Sequence, residues 1–138
     1  MDKEVYWAKA VLILAAIYNI AWGSFVVFFP LAPFAWAGLE PPNYPELWQC
    51  IGMIVGVYGV AYAAAARDPL RHWPVTLAGL LGKILGPIGF VWSAYHGSLA
   101  WSVGWTILTN DLIWWAPFSA ILYKAWAKEH GADRPAAR

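Results

Sequence analysis

The chain is poor in charged residues and has a single cysteine. Only 12% of its 138 residues are Asp, Glu, Lys or Arg, and 61% are hydrophobic, whereas about a quarter of the residues in soluble domains are charged. This composition indicates an integral membrane protein, and the length predicts one domain. Cys50 is alone, which excludes an internal disulfide and a cysteine-based metal site within one chain. The net charge of +1 gives no indication of a nucleic-acid partner.

Sequence patterns of known catalytic and metal sites are also missing. The chain has no Gly-rich phosphate loop, no HExxH sequence, no paired carboxylates within one apolar segment and no Cys/His pair. His72, His96 and His130 do not have the spacing of metal ligands, so we interpret them as solvated or interfacial side chains. We therefore expect neither a metal site nor catalysis by this chain.

Four apolar segments are long enough to cross a membrane as helices. They cover residues 5–29, 47–66, 74–95 and 101–126. We predict an all-α fold, a four-helix transmembrane bundle formed by residues 1–127 and followed by a polar cytoplasmic tail at 128–138. The first segment is too long for a signal peptide, so we expect it to remain as an uncleaved span.

A Pro- and Trp-rich loop, PLAPFAWAGLEPPNYPE, connects the first two predicted spans. It is too short and too often interrupted by proline to cross a bilayer. We expect one or two turns of interfacial helix within Leu31–Leu39 and extended chain at Pro41, Pro42 and Pro45.

The basic residues indicate how the spans are oriented. The chain has nine Lys and Arg residues, and eight of them fall on the side of the predicted termini: Lys3, Lys9, Arg67, Arg71, Lys124, Lys128, Arg134 and Arg138. The opposite side has Glu40 and Glu46 and no basic residue. Because cytoplasmic loops of membrane proteins carry an excess of Lys and Arg, we expect both termini in the cytoplasm.

The ninth basic residue, Lys83, lies near the middle of the third span, and Asp111 lies near the middle of the fourth. Each charge opposes membrane insertion by roughly 2.5 to 3.5 kcal/mol, so we expect the two to pair. At about 1.5 Å of rise per residue, their depths differ by less than one helical turn. Side chains lean toward the N-terminus of their own helix, which tilts this antiparallel pair apart. The sequence thus predicts an intramembrane salt bridge, or a link through an intervening amide or water.

Prolines and glycines modify the same helices. Pro87 and Pro117 leave the carbonyl groups of Lys83 and Ile113 without their helical donors. Glycines recur at helical spacing at positions 52, 56 and 59 in the second span and at 79, 82, 86 and 89 in the third. Because small residues let membrane helices approach closely, we expect these two spans to pack tightly together, with homodimerisation as the alternative.

Polar residues form a candidate site. Five of them are predicted between mid-membrane and the outer surface: Asn19, Gln49, Lys83, Asn110 and Asp111. We expect an outward-facing pocket for ligand binding or proton handling, covered by the loop with Tyr44 and Trp48. The alternative is that these side chains hold the helices together, each contributing about 0.6 to 2 kcal/mol.

The stretch YNIAWGSFVVFFP at residues 18–30, the Pro-containing outer loop and the three further short spans resemble the DoxX-like group of small bacterial four-helix membrane proteins. Within that group, the chain resembles an uncharacterised subgroup in the run PPNYPELWQCIGMIVGVYGVAY and in WTILTNDLIWW. The resemblance implies a bacterial inner-membrane location and a place beside membrane oxidoreductases. We expect no cofactor, with a bound lipid or quinone as the alternative. A single cysteine and the lack of a haem-ligand pair argue against electron transfer by this chain itself.

Two functional hypotheses follow. The first is a non-catalytic accessory or scaffolding subunit of a larger, redox-linked membrane complex, because the chain is small, lacks catalytic motifs and has wide apolar faces. Its partners would be membrane lipid together with other membrane-protein subunits or further copies of the chain. The alternative is a membrane protein that binds or transports a small molecule or protons through its polar cluster.

Overall fold

The structure is a computed structural model that describes residues 3–132, and every regular element in that range is helical. The main helices are α1 (Lys3–Phe28), α2 (Ala32–Ala37), α3 (Pro45–Ala65), α4 (Trp73–Tyr95), α5 (Trp105–Ile107) and α6 (Ile113–Ala132). A 3-10 turn at Trp101–Gly104 precedes α5, and a π-helical turn at Leu108–Leu112 separates α5 from α6. The predicted all-α class is confirmed.

Three helices of the described chain are long and apolar enough to cross a membrane. These segments are Val5–Phe28, Pro45–Ala65 and Trp73–Tyr95. The fourth predicted span is helical from residue 101 onward, but the 3-10 and π-helical turns divide it into shorter pieces. The α6 helix continues to Ala132, beyond the predicted start of the polar tail, and residues 133–138 lie outside the described residues.

The glycines of α3 pack against α1, so the predicted tight pairing of the second and third spans was wrong. A Cβ atom added to Gly52 would lie 2.9 Å from the Gly23 carbonyl oxygen, and one added to Gly59 would lie 2.9 Å from the Ala16 carbonyl oxygen. Most contacts of α3 are accordingly made with α1, and few are made with α4. The small residues permit close approach as expected, but they do so toward the other neighbour.

The hydrophobic core lies at the end of the molecule that carries the termini. Side chains from α1, α3, α4 and α6 meet there, including Leu12, Tyr62, Leu80 and Phe118. The rings of Tyr62 and Phe118 pack edge to face with their centroids 5.4 Å apart. At the same end, Trp73 Nε1 donates a 3.0 Å hydrogen bond to Glu129, which joins the start of α4 to the end of α6. This core fixes the four long helices below the polar residues.

The outer loop folds back over α1 and α3. The expected interfacial helix is present as α2 and ends at Gly38, whose φ of 64° is left-handed. Trp36 of this helix stacks on Phe25 of α1. Phe34 packs edge to face on Trp48 of α3, with ring centroids 5.4 Å apart. The loop therefore closes the outer end of the α1–α3 pair with aromatic contacts.

Candidate functional site

The π-helical turn at Leu108–Leu112 presents two polar residues, Asn110 and Asp111, to α4. A π turn accommodates one extra residue and therefore re-aims the side chains that follow it. The turn is supported by Trp114, whose Nε1 donates a 3.2 Å hydrogen bond to the Thr109 carbonyl oxygen. Such turns occur frequently at functional sites. The sequence gives no clear signal for this turn beyond the polar run Thr109–Asp111.

Lys83 reaches this turn from the middle of α4. Its side chain is only 7% exposed, and its Nζ donates a 2.5 Å hydrogen bond to the carbonyl oxygen of Asn110. The ammonium group also lies 5.6 Å from the centre of the Trp114 ring, within the range of a cation–π interaction. One backbone carbonyl and one aromatic face therefore stabilise the buried charge.

Asp111 is equally buried and lies beside Lys83 without forming an ion pair. Asn110 Nδ2 donates a long, 3.4 Å hydrogen bond to Asp111 Oδ1, and the carboxylate faces Gly86, one turn after Lys83 on α4. Within residues 3–132 there is no salt bridge between the two, so the predicted direct pair was wrong. Asn110 links the charges instead, because its backbone carbonyl accepts a hydrogen bond from Lys83 while its side-chain amide donates one to Asp111.

The backbone of Lys83 is held as well as its side chain. Pro87 has no N–H group, so the Lys83 carbonyl lacks its normal helical donor. Trp115 Nε1 donates a 3.0 Å hydrogen bond to this carbonyl oxygen. The acceptor that the sequence predicts to be unpaired therefore connects α4 to α6.

A cavity of about 230 Å³ lies beside these residues, between α3 and α4. Its polar wall consists of Asn19, Lys83, Asn110 and Asp111. Its other lining residues come from α3 and α4: Ile54, Val55, Tyr58, Tyr62, Ala78, Gly79 and Gly82. The structure thus brings four of the seven predicted site residues together around one space.

Asn19 contributes from the middle of α1 and is 4% exposed. Its Oδ1 atom has no hydrogen-bond partner among the described residues. An unpaired buried polar atom is costly, by about 1 to 3 kcal/mol. Because the terminal torsion of an asparagine side chain is broad, the amide can turn either its oxygen or its nitrogen toward the cavity that it lines.

Gln49, Tyr44 and Trp48 lie elsewhere, at the outer end of the α1–α3 pair. Gln49 Nε2 donates a 2.8 Å hydrogen bond to the Val27 carbonyl oxygen near the end of α1. Tyr44 is exposed at the start of α3, and Trp48 packs edge to face on Trp22 with ring centroids 5.8 Å apart. None of the three lines the cavity. Gln49 therefore joins two helices, and the outer loop does not cover the polar cluster.

Two tyrosines of the cavity were not predicted. Tyr58 and Tyr62 lie one turn apart on α3 and their rings are in contact, with centroids 6.0 Å apart. The Tyr62 ring is buried against Gly79, where an added Cβ would collide with the hydroxyl group. The sequence signal for this pair is the i, i+4 spacing of two phenols within an apolar span.

The cavity combines donors, acceptors and both signs of charge in an otherwise apolar region. Such a site can hold a polar group that would otherwise be exposed to hydrocarbon. Among residues 3–132, no group of three His, Cys, Asp or Glu side chains could hold a metal ion.

No protein-family model, curated protein or solved structure matches the chain. The resemblance to the DoxX-like group therefore stays a prediction.

Proposed function

We propose that the protein is a four-span membrane protein that binds a small polar molecule, or the polar group of an amphiphile, in the cavity between α3 and α4. The main support for this proposal is the environment of the Asn19 side chain. This side chain is 4% exposed and lines the same cavity as Lys83 and Asp111, and its Oδ1 is unpaired within the described range. Trp48 and Thr76 also have an unpaired buried atom in the described range, but neither lines the cavity. Asn19 differs from them because a molecule in the cavity could pair its oxygen and remove the cost.

The four-span topology is part of this proposal. The pieces from Trp101 to Ala132 follow one another without a break, and α6 packs along α4. A continuous helical path of this length supports a fourth span that carries the π-helical turn at its polar centre. The distribution of Lys and Arg supports cytoplasmic termini. Together with the resemblance described above, it supports a bacterial inner-membrane location.

The proposal is tested by asking what the purified protein retains. The full chain is extracted from membranes in mild detergent, and bound small molecules and lipids are identified by mass spectrometry. We compare Asn19→Leu with Thr76→Val, because each removes a buried polar atom that is unpaired in the described structure. Thr76 does not line the cavity, so its variant is the matched control.

The expected result is that the wild-type and Thr76→Val proteins retain the same molecule and that Asn19→Leu loses it. Size-exclusion chromatography and circular dichroism establish that all three proteins are folded. Equal retention by all three folded proteins would show that the cavity does not bind the molecule. A wild-type protein with nothing bound would likewise overturn the proposal.

A second candidate function is the accessory subunit of a membrane complex. An apolar groove of about 490 Å³ on the outer half of α4 favours it, formed by Pro87, Ile88, Val91, Trp92, Tyr95 and Trp115. The groove has the shape and apolarity to receive a transmembrane helix of another subunit. Co-migration with other membrane proteins in mild detergent is expected, and a chain that runs alone would count against this role.

A further inference from the structure

The cavity opens toward the side of the molecule. Four lining residues at its rim are exposed or nearly so: Ile54, Tyr58, Ala78 and Gly82. All lie well inside α3 or α4, away from the helix ends. In a bilayer this rim therefore faces hydrocarbon, which means that a ligand can reach the polar wall from the lipid phase.

The charges at the wall limit the ligand. Lys83 and Asp111 supply one cation and one anion, so their charges balance each other. A ligand with a net charge would add an uncompensated charge to a region of low dielectric constant, which is strongly unfavourable. A charged molecule would also partition poorly into the hydrocarbon that leads to the rim. An uncharged ligand avoids both penalties.

The hydrogen-bonding groups require a ligand that both accepts and donates. An ammonium group has three donors, and Lys83 uses one on Asn110, with no further hydrogen bond from its Nζ within the described part of the chain. Asp111 offers carboxylate oxygens, one of which has only the long contact to Asn110. A hydroxyl group accepts and donates on a single atom, so it can accept from Lys83 while donating to Asp111 or Asn19.

The volume indicates how much of the ligand enters. A cavity of about 150 Å³ holds benzene, which has six carbon atoms. By proportion, the 230 Å³ cavity accommodates roughly nine or ten non-hydrogen atoms. This is enough for a polar end and a short stretch or a ring, and the remainder of a longer molecule would stay in the lipid beside Ile54 and Gly82.

On the basis of the proposed function, we infer that the ligand is an uncharged, lipid-dissolved alcohol or phenol, which enters between α3 and α4 and places its hydroxyl group among Lys83, Asp111 and Asn19. The outer loop has no part in this route, because Tyr44 and Trp48 do not line the cavity. The ligand class thus follows from a lateral opening, balanced charge and mixed hydrogen bonding.

The inference is tested with photoactivatable lipids. The full chain is reconstituted in phosphatidylcholine vesicles with hexadecanol carrying a diazirine in its chain, and crosslinked peptides are identified by mass spectrometry. Matched probes carry the same chain with a sulfate, with a trimethylammonium group or with no polar group. We expect hexadecanol to label α3 and α4 around the cavity about tenfold more than the probe with no polar group, the loss expected for one missing hydrogen bond to a charged group. The sulfate and trimethylammonium probes should also label less than hexadecanol, because each would add an uncompensated charge to the site.

A pair of glycine variants tests the route. Gly82 lines the cavity and Gly89 does not, yet both are exposed on α4 and an added Cβ meets nothing within 4 Å at either position. Gly82→Leu should narrow the opening and reduce hexadecanol labelling about tenfold. Gly89→Leu should leave it unchanged. Both variants are expected to fold, because both positions are exposed and an added Cβ meets no neighbouring atom at either.

The outcomes separate the two proposals. Equal labelling by the charged probes would overturn the ligand class, while the binding cavity would still be supported by loss of the retained molecule in Asn19→Leu. Equal labelling of the Gly82→Leu and Gly89→Leu proteins would overturn the lateral route. Failure of the proposed function itself would appear in the Asn19→Leu and Thr76→Val comparison, which uses no added probe.

Discussion

The indole Nε1 of Trp115 donates a 3.0 Å hydrogen bond to the carbonyl oxygen of Lys83. Pro87 leaves this oxygen without its helical donor, and a membrane interior supplies no water to replace it. The contact therefore satisfies the backbone and fixes α6 beside the cavity. It also explains how α4 tolerates a proline next to a buried charge.

Replacing Trp115 with phenylalanine should lower the free energy of unfolding by about 1 kcal/mol, because the carbonyl oxygen loses its donor. Pro87→Ala restores the helical N–H group, so the Trp115 substitution should cost less in that background. The measurement is a double-mutant cycle of unfolding by sodium dodecyl sulfate in mixed micelles. Equal costs in both backgrounds would contradict the proposed compensation.

Alanine at Gly23 or Gly52 should destabilise the protein by about 1 to 3 kcal/mol through overpacking of the α1–α3 interface. An added Cβ at Gly23 would lie 2.5 Å from the Gly52 carbonyl oxygen, a backbone atom with little freedom to move. Gly56→Ala is the matched control, because its Cβ would meet nothing within 4 Å. The same micelle unfolding assay applies. Because alanine favours a helix more than glycine does, Gly56→Ala should be no less stable than the wild type. A Gly56 variant as unstable as the others would show that a clash of the added Cβ is not the cause.

Neutralising Lys83 and Asp111 together should cost less unfolding free energy than the sum of the two single neutralisations. Lys83→Met leaves a buried carboxylate and Asp111→Asn leaves a buried ammonium, and each variant should lose about 1 to 3 kcal/mol of unfolding free energy. The double variant restores charge balance, so its loss should be smaller than the sum. Additive losses in the unfolding assay would indicate that the two charges do not interact through Asn110.

The side of the membrane reached by the tail distinguishes four spans from three. In a Cys50→Ser background, Asn43→Cys and Ser98→Cys should react with an impermeant maleimide added outside spheroplasts. His72→Cys should react with the maleimide only after permeabilisation. An epitope fused after Arg138 should likewise bind its antibody only after permeabilisation. An epitope accessible from outside would place the C-terminus on the opposite side and exclude the four-span topology.

Several features of the fold could be predicted because they depend on neighbouring residues along the chain. Long apolar runs determine α1, α3 and α4, and Pro30 and Pro45 bound the loop that contains α2. The burial of Lys83 and Asp111 follows from their position in the middle of such runs. Hydrophobicity, helix length and the effects of proline depend on residues close together in the chain. They could therefore be predicted without knowing which helices pack against each other.

Which helices and side chains contact each other could be determined only from the tertiary structure. The α3 glycine stripe is equally suited to either neighbouring helix, and only the packing of Gly52 against Gly23 decided for α1. The π-helical turn shifts Asn110 and Asp111 relative to a regular helix, so Asn110 links the two charges in place of a salt bridge. The sequence alone indicated that Asn19, Lys83 and Asp111 would be buried, although it did not single out Thr76. Close packing determined which polar side chains meet and on which side their cavity opens, because side-chain contacts depend on atoms distant in the chain.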